Sequence, residues 1–337
     1  MTPAAILLLL LFGQARNAET ISQEALEMAQ QKRFAEAERL WKQALALSPN
    51  LFSAAFNLGF MFHSQGEYAK AEPYLARAAR AAPEDFNAKY LLGATLLQLG
   101  RSEDALRQWR AALALRPDHF KLMQMMAIEY GKGRYFAEAA AIAERALGLK
   151  DDDPDVYLIA IRAYQDAADH PAALKVAERM ARKFPDLPRA NFEYGYELHR
   201  SGRASEGLPY LKRAMEADQT YEEPFFFYGE ILLSQRRFEE AIPPLQRSIE
   251  LKPDYMAAWV ALGRALMGLR RYEDAKTELL RAIEINPRHP QPRLLLSQIY
   301  FRMGDEEHAS QEKELSLKLR RENPQAMESP QARPFPS

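Results

Sequence analysis

Between Phe86 and His119, apolar residues recur at helical spacing in two runs separated by Leu99, Gly100 and Arg101, and this pattern predicts two helices joined by a short turn. Gly93, Ala105 and Ala112 are small where the helices must approach, while Leu92, Leu96 and Trp109 are large enough to fill the space between them. Pro117 closes the unit because proline cannot continue the second helix. One such hairpin cannot bury both of its apolar faces, so the pattern requires neighbours.

Those neighbours are written in the chain. Units begin at residues 18, 52, 86, 120, 154, 188, 222, 256 and 290, with no insertion or deletion between them. The eighth place of each unit holds Ala25, Gly59, Gly93, Ala127, Ile161, Gly195, Gly229, Gly263 and Ser297, small in all but the fifth unit. The twentieth place is alanine throughout except for Gly207, and the twenty-seventh is alanine or serine except for Met180. Proline closes most units at the thirty-second place; unit four has Asp151 there, in an acidic turn with Asp152 and Asp153.

This pattern of small, aromatic and proline places resembles the tetratricopeptide repeat, over roughly residues 18 to 323. The resemblance implies an all-α fold, a right-handed superhelical α-solenoid of helix-turn-helix repeats whose core runs from hairpin to hairpin. It implies a binding surface for a protein or peptide and names no partner. Two specialised family sites are not matched. Of the carboxylate clamp only Asn57 fits, with Ser22 and Leu26 before it and Asn87 and Leu91 after, and the asparagine ladder of the sugar-transferase members likewise reduces to Asn57.

Departures from the regular pattern carry local expectations. In repeat one Ala25, Met28, Phe34, Ala37, Trp41 and Ala44 should face inward. Ile161 and Met180 in repeat five either change the local curvature between repeats four and six or are compensated by Ala163, Ala167 and Ala177 nearby. Pro73, Pro209, Pro243 and Pro244 read as tolerated residues near helix starts or as slight kinks. In repeat nine the charged helix Glu307 to Arg321 is expected to end the stack without leaving an apolar face in water.

Outside the repeats, Ala4 to Phe12 is an unbroken apolar run too short to cross a bilayer, and Gly13 and Ala15 follow at signal-peptidase spacing. The expected division is therefore a signal peptide over 1–15, a nine-repeat solenoid over 16–323 and a disordered, proline-rich tail over 324–337. Periplasmic or secreted localisation follows if the leader is removed. The alternative is a membrane anchor formed by an uncleaved leader, since no lysine or arginine precedes the apolar run.

Charge and chemistry narrow the function classes. Lysine and arginine number 45 against 46 aspartates and glutamates, a balance that gives no reason to expect nucleic acid or an anionic membrane. The absence of cysteine removes disulfides, thiol nucleophiles and thiolate metal sites. Of six histidines, His119 and His289 close their units, His170 and His308 lie near turns, and only His63 and His199 face the inner surface, four repeats apart. That separation excludes one shared metal site or acid–base pair, so no cofactor, no metal and no enzymatic activity are expected.

The resemblance further implies that the first helix of each unit lines a concave groove. On that basis the candidate partner-binding residues are Phe56, Asn57, Phe60, Tyr90, Gln124, Ile128, Arg162, Phe192, Glu193, Tyr196, Phe226 and Glu230. The consecutive rings Phe225, Phe226 and Phe227 span about 200° of helical arc, which predicts at least one ring facing the groove or solvent. Such a surface suits a protein or peptide docked by apolar anchors, in envelope assembly or secretion. Two alternatives stand beside it: a scaffold in polysaccharide export with Tyr90, Phe192, Tyr196 and Phe226 stacked on sugar, and an auxiliary subunit of a membrane-bound enzyme.

Overall fold

The computed structural model describes residues 17–323, so the expected leader and tail lie outside the described residues. Eighteen helices and no strands occur among the described residues, in nine consecutive pairs. The first four pairs are α1 (Ala18–Gln30) with α2 (Phe34–Leu47), α3 (Phe52–Ser64) with α4 (Tyr68–Ala81), α5 (Phe86–Gln98) with α6 (Ser102–Leu115), and α7 (Phe120–Lys132) with α8 (Phe136–Leu149). Next come α9 (Pro154–Asp166) with α10 (His170–Lys183), α11 (Pro188–Arg200) with α12 (Ala204–Ala217), and α13 (Glu222–Ser234) with α14 (Phe238–Leu251). The last are α15 (Met256–Gly268) with α16 (Tyr272–Ile285) and α17 (Pro290–Met303) with α18 (Glu306–Glu322). The fold is an all-α array of helix hairpins, and no helix among the described residues is long and apolar enough to cross a membrane.

The chain divides into two compact units, one ending at Lys150 and the other beginning at Asp151. The boundary falls at the acidic turn where repeat four lacks its closing proline. Trp41, Leu58, Leu75 and Leu92 belong to the core of the first unit. Phe192, Leu211, Leu245, Leu279 and Ile299 belong to that of the second.

Most hairpins are held by a pairing of a small place with a large one; repeat four has Ala127 with Ala143, and repeat nine has Ser297 with an exposed Lys313. A Cβ added at Gly93 would lie 2.3 Å from the Trp109 ring, and one at Gly229 would lie 2.6 Å from Leu245. The eighth place is therefore small because the residue sixteen positions later already fills that space. In repeat five the same two places hold Ile161 and Ala177, both buried, so bulk has moved from one helix to the other. This is the compensation by Ala177, and it conserves volume across the hairpin.

The turn inside each hairpin is equally constant. The fifteenth place has positive φ in all nine repeats: Lys32, Arg134, Ala168, Arg236 and Arg270 lie between 58° and 63°, and Gly66, Gly100, Gly202 and Gly304 between 75° and 85°. The next residue donates its amide to the carbonyl five positions back, as in Arg33 to Met28 at 2.9 Å and Tyr135 to Tyr130 at 2.8 Å. This closes the first helix through the six-residue motif that favours glycine at the left-handed position. A lysine, arginine or alanine there bears a backbone strain of roughly 1–3 kcal/mol that glycine avoids. The following arginine, where present, anchors the second helix: Arg33 forks onto Glu36 at 2.6 and 2.7 Å, and Arg237 onto Glu240 at the same distances.

Three expectations are corrected. Pro73, Pro209 and Pro243 occupy the sixth residue of their helices, beyond the amides that lack intrahelical partners, yet the helices run on through them. All three prolines are exposed, whereas Pro244 is buried. Phe34 is 42% exposed and does not face inward. The charged helix α18 does not finish the stack in a wholly polar surface, because Leu294, Phe301, Leu315 and Leu317 of repeat nine are exposed.

Candidate protein-binding surface

In the first unit the candidate residues form an open aromatic stripe. Phe52, Phe56 and Phe60 follow at four-residue intervals along α3, which places them on one side of the helix. Their rings stack, with centroids 5.5 Å apart between Phe52 and Phe56 and 6.4 Å between Phe56 and Phe60. Phe60 is 52% exposed, and Phe56 and Asn57 are half-buried. A partner's apolar side chain can reach this stripe without any rearrangement of the helices.

Repeat three continues the surface through Tyr90. Its ring stacks on Phe86 at 5.6 Å, and the His119 ring lies 4.7 Å from Phe86 and 5.7 Å from Tyr90. The His119 Nδ1 accepts the Leu122 amide at 3.1 Å, so this histidine caps α7. Tyr90 donates its hydroxyl to the Met125 sulfur at 3.6 Å, and Ile128 is half-buried beyond it. Gln124 is buried and offers little to a partner.

His63 is tied into the same region. Thr95 donates its hydroxyl to the Leu91 carbonyl at 2.8 Å, which leaves the Thr95 oxygen to accept from His63 Nδ1 at 2.9 Å. Burial lowers the His63 pKa, so the neutral ring is favoured.

The second unit treats similar residues differently. Phe192 is completely buried, with Tyr221, Tyr196 and Phe227 rings at 5.1, 5.9 and 5.9 Å. Phe226 is also buried and meets Phe227 at 5.0 Å and Tyr255 at 4.8 Å. Phe225, Phe226 and Phe227 are 9%, 5% and 8% exposed, so the expectation of an exposed ring among them is corrected. The reason is that α13 is packed by α11, α12, α14 and α15, and those four helices cover a wider arc than a single core would.

Charged candidates in this unit are mostly engaged. Glu193 is buried, with Arg189 Nε 2.8 Å from its carboxylate, and the Arg189 guanidinium lies over the Phe192 ring. Arg162 pairs with Asp166 at 2.9 Å, and Glu230 pairs with Arg264 at 3.1 Å. Tyr196 remains half-buried, 4.7 Å from Phe227 and beneath the Arg200 guanidinium. His199 is pushed down in pKa by burial, with the Glu230 carboxylate opposing.

Of the twelve candidates, then, Phe60 is open, and Phe56, Asn57, Tyr90, Ile128, Arg162, Tyr196 and Glu230 are partly accessible. Gln124, Phe192, Glu193 and Phe226 are buried. Two participants were missed: Phe52, signalled by the four-residue spacing to Phe56, and Arg264, which follows its partner Glu230 by one repeat. Among the described residues no group of three or more histidine, cysteine, aspartate or glutamate side chains could hold a metal ion.

Known proteins carry the same repeat. One model of the tetratricopeptide repeat matches residues 62–127 and 232–299, and a second matches 23–86 and 158–222. The chain is 26% identical over 179 residues to the TPR repeat-containing protein YpiA of Bacillus subtilis, which covers 52% of this chain and 42% of that protein. It is 25% identical over 166 residues to anaphase-promoting complex subunit 3 of Schizosaccharomyces pombe, covering 49% of this chain and 25% of that protein. Both matches thus span less than half of the relative. Among solved structures, YrrB, described as a TPR protein with an unusual peptide-binding site, is 22% identical with a TM-score of 0.46, over 55% of this chain and 95% of YrrB. MamA from Desulfovibrio magneticus RS-1 is 18% identical with a TM-score of 0.47, over 50% of this chain and 96% of that one. With both repeat models matched over more than half of the chain together, and one helix hairpin in every 34-residue unit, the chain belongs to the tetratricopeptide repeat family.

Proposed function

We propose that this chain is a non-enzymatic scaffold that binds another protein, or a peptide of it, on the first-helix surface of repeats two and three. The observation that carries this reading is the stacked row Phe52, Phe56 and Phe60, whose last ring is 52% exposed and beside which Asn57 is accessible. An exposed aromatic row with an amide beside it supplies apolar anchors and one directional hydrogen bond, the elements by which grooves hold helical or extended peptides. Family membership supports the same class of role.

The sugar-stacking alternative loses two of its four rings, because Phe192 and Phe226 are buried. We place the scaffold outside the cytoplasm, in envelope assembly or secretion, on the strength of the apolar run Ala4 to Phe12 and the small residues Gly13 and Ala15. N-terminal sequencing of the protein from an envelope fraction tests the placement. An intact Met1 on a cytosolic chain overturns it.

The binding reading is tested by capture from an envelope extract with the full chain and with the Phe60→Ala, Asn57→Ala double variant. Loss of the captured partner at an unchanged melting temperature is the expected result. Unchanged capture moves the interface off this stripe.

A further inference from the structure

Repeats seven to nine border an open cavity of about 930 Å³ that none of the twelve groove candidates lines. Four cations border it: Arg236 and Arg270 from the left-handed turns of repeats seven and eight, Arg302 near the end of α17, and Lys313 on α18. Phe301, 65% exposed, and Leu294, 37% exposed, supply an apolar wall.

The lack of ion pairing sets these cations apart. Arg236 and Arg270 stand at the left-handed turn place, which holds glycine in repeats two, three, six and nine and Lys32, Arg134 and Ala168 in repeats one, four and five. Their immediate neighbours Arg237 and Arg271 are paired with Glu240 and Asp274, at 2.6 and 2.7 Å. Arg236, Arg270, Arg302 and Lys313 have no ion pair among the described residues, and Glu306 is the one carboxylate lining the cavity.

Lys313 also marks how the cavity arises. It occupies the place that Leu245 and Leu279 fill in repeats seven and eight, where each leucine packs against the glycine of its first helix. In repeat nine an exposed cation replaces that filler, beside Ser297.

We propose that this cavity binds an acidic protein segment containing one large apolar side chain. Its carboxylates meet the four unpaired cations, and its apolar side chain covers Phe301 and Leu294. Charge-assisted contacts to arginine are directional and specify carboxylate, while the apolar wall supplies the area that a purely ionic site lacks. Glu306 in the wall, on a chain with net charge −1, sets the site against a polyphosphate backbone.

The test is fluorescence anisotropy with the full chain and a labelled peptide of alternating aspartate and glutamate around a central phenylalanine. Binding that weakens with added salt is expected, and Arg236→Gly with Arg270→Gly should weaken it at least tenfold without lowering the melting temperature, because glycine suits those turns. Arg302→Glu with Lys313→Glu provides a second route to the same loss. The control is Lys32→Gly with Arg134→Gly, the same turn place outside the cavity, where affinity should stay within twofold. No binding, equal loss in the control, or unchanged affinity in both cavity variants overturns the proposal. A single-stranded oligonucleotide that competes with the peptide and binds more tightly, or a dimer that the cavity variants dissolve, assigns the site to a different occupant and overturns it as well.

Discussion

Repeats two and six place phenylalanine at the same position of their first helices, yet Phe56 is partly open to solvent and Phe192 is sealed. The difference lies in what the neighbouring places contribute. Tyr221 and Phe227 close over Phe192, and the corresponding places beside repeat two are Asp85 and Leu91. Position within the repeat therefore sets where a ring points. The residues about thirty positions later set whether a partner can reach it.

The largest test of that contrast is truncation of the two rings. Phe192→Ala should cost about 3–5 kcal/mol, because it empties a fully enclosed site. Phe60→Ala should stay within about 0.5 kcal/mol, as a surface change does. Urea denaturation of the two variants measures both, and similar costs would dissolve the distinction.

Overfilling a hairpin gives the next effect. Gly93→Ala drives a methyl group into the Trp109 ring and should destabilise by about 1–3 kcal/mol, visible as a shift in tryptophan-detected unfolding. A smaller effect comes from making the second unit resemble the first. Phe227→Leu should cost less than about 1.5 kcal/mol while uncovering Tyr196, so that nitration of this tyrosine, followed by mass spectrometry, becomes faster.

The smallest effect is on pH dependence and concerns both units. Burial holds His63 and His199 below the ordinary value of 6.5, so the folded chain binds fewer protons than the unfolded one as pH falls past that value. Stability should decline between pH 7 and pH 5. Glu36, Glu206 and Glu240 are shifted below 4.5 by their arginine partners and act at lower pH, while Glu278, raised above 4.5 by burial, opposes the histidines at the acid end of the window. Replacing both histidines with glutamine should flatten the decline in melting temperature.

The hairpin fold was legible because its constraints recur: small residues at the eighth and twentieth places, bulk opposite them, and a proline or polar turn between units. Each is a short-range consequence of two helices touching. The candidate surface was legible only in part, since Phe60 and Asn57 could be read from helical place alone. Phe192 and Phe226 could not, because their burial depends on rings supplied by adjacent repeats, and Glu193 could not, although its partner Arg189 lies four residues earlier on the same helix. The arc argument over Phe225 to Phe227 failed for the same reason, having assigned one covered face to a helix that four others surround. The cations at Arg236 and Arg270 were visible in the sequence, but their convergence with Arg302 and Lys313 on one cavity was not.

The amide that closes every hairpin turn bonds a carbonyl only five residues behind it, from Arg33 to Met28 through Asp305 to Tyr300. Closure over so short a stretch does not wait for distant parts of the chain to meet, so it belongs to the early moments of refolding. Pulse-labelling with deuterium should find these turn amides shielded before those whose protection depends on stacking between repeats.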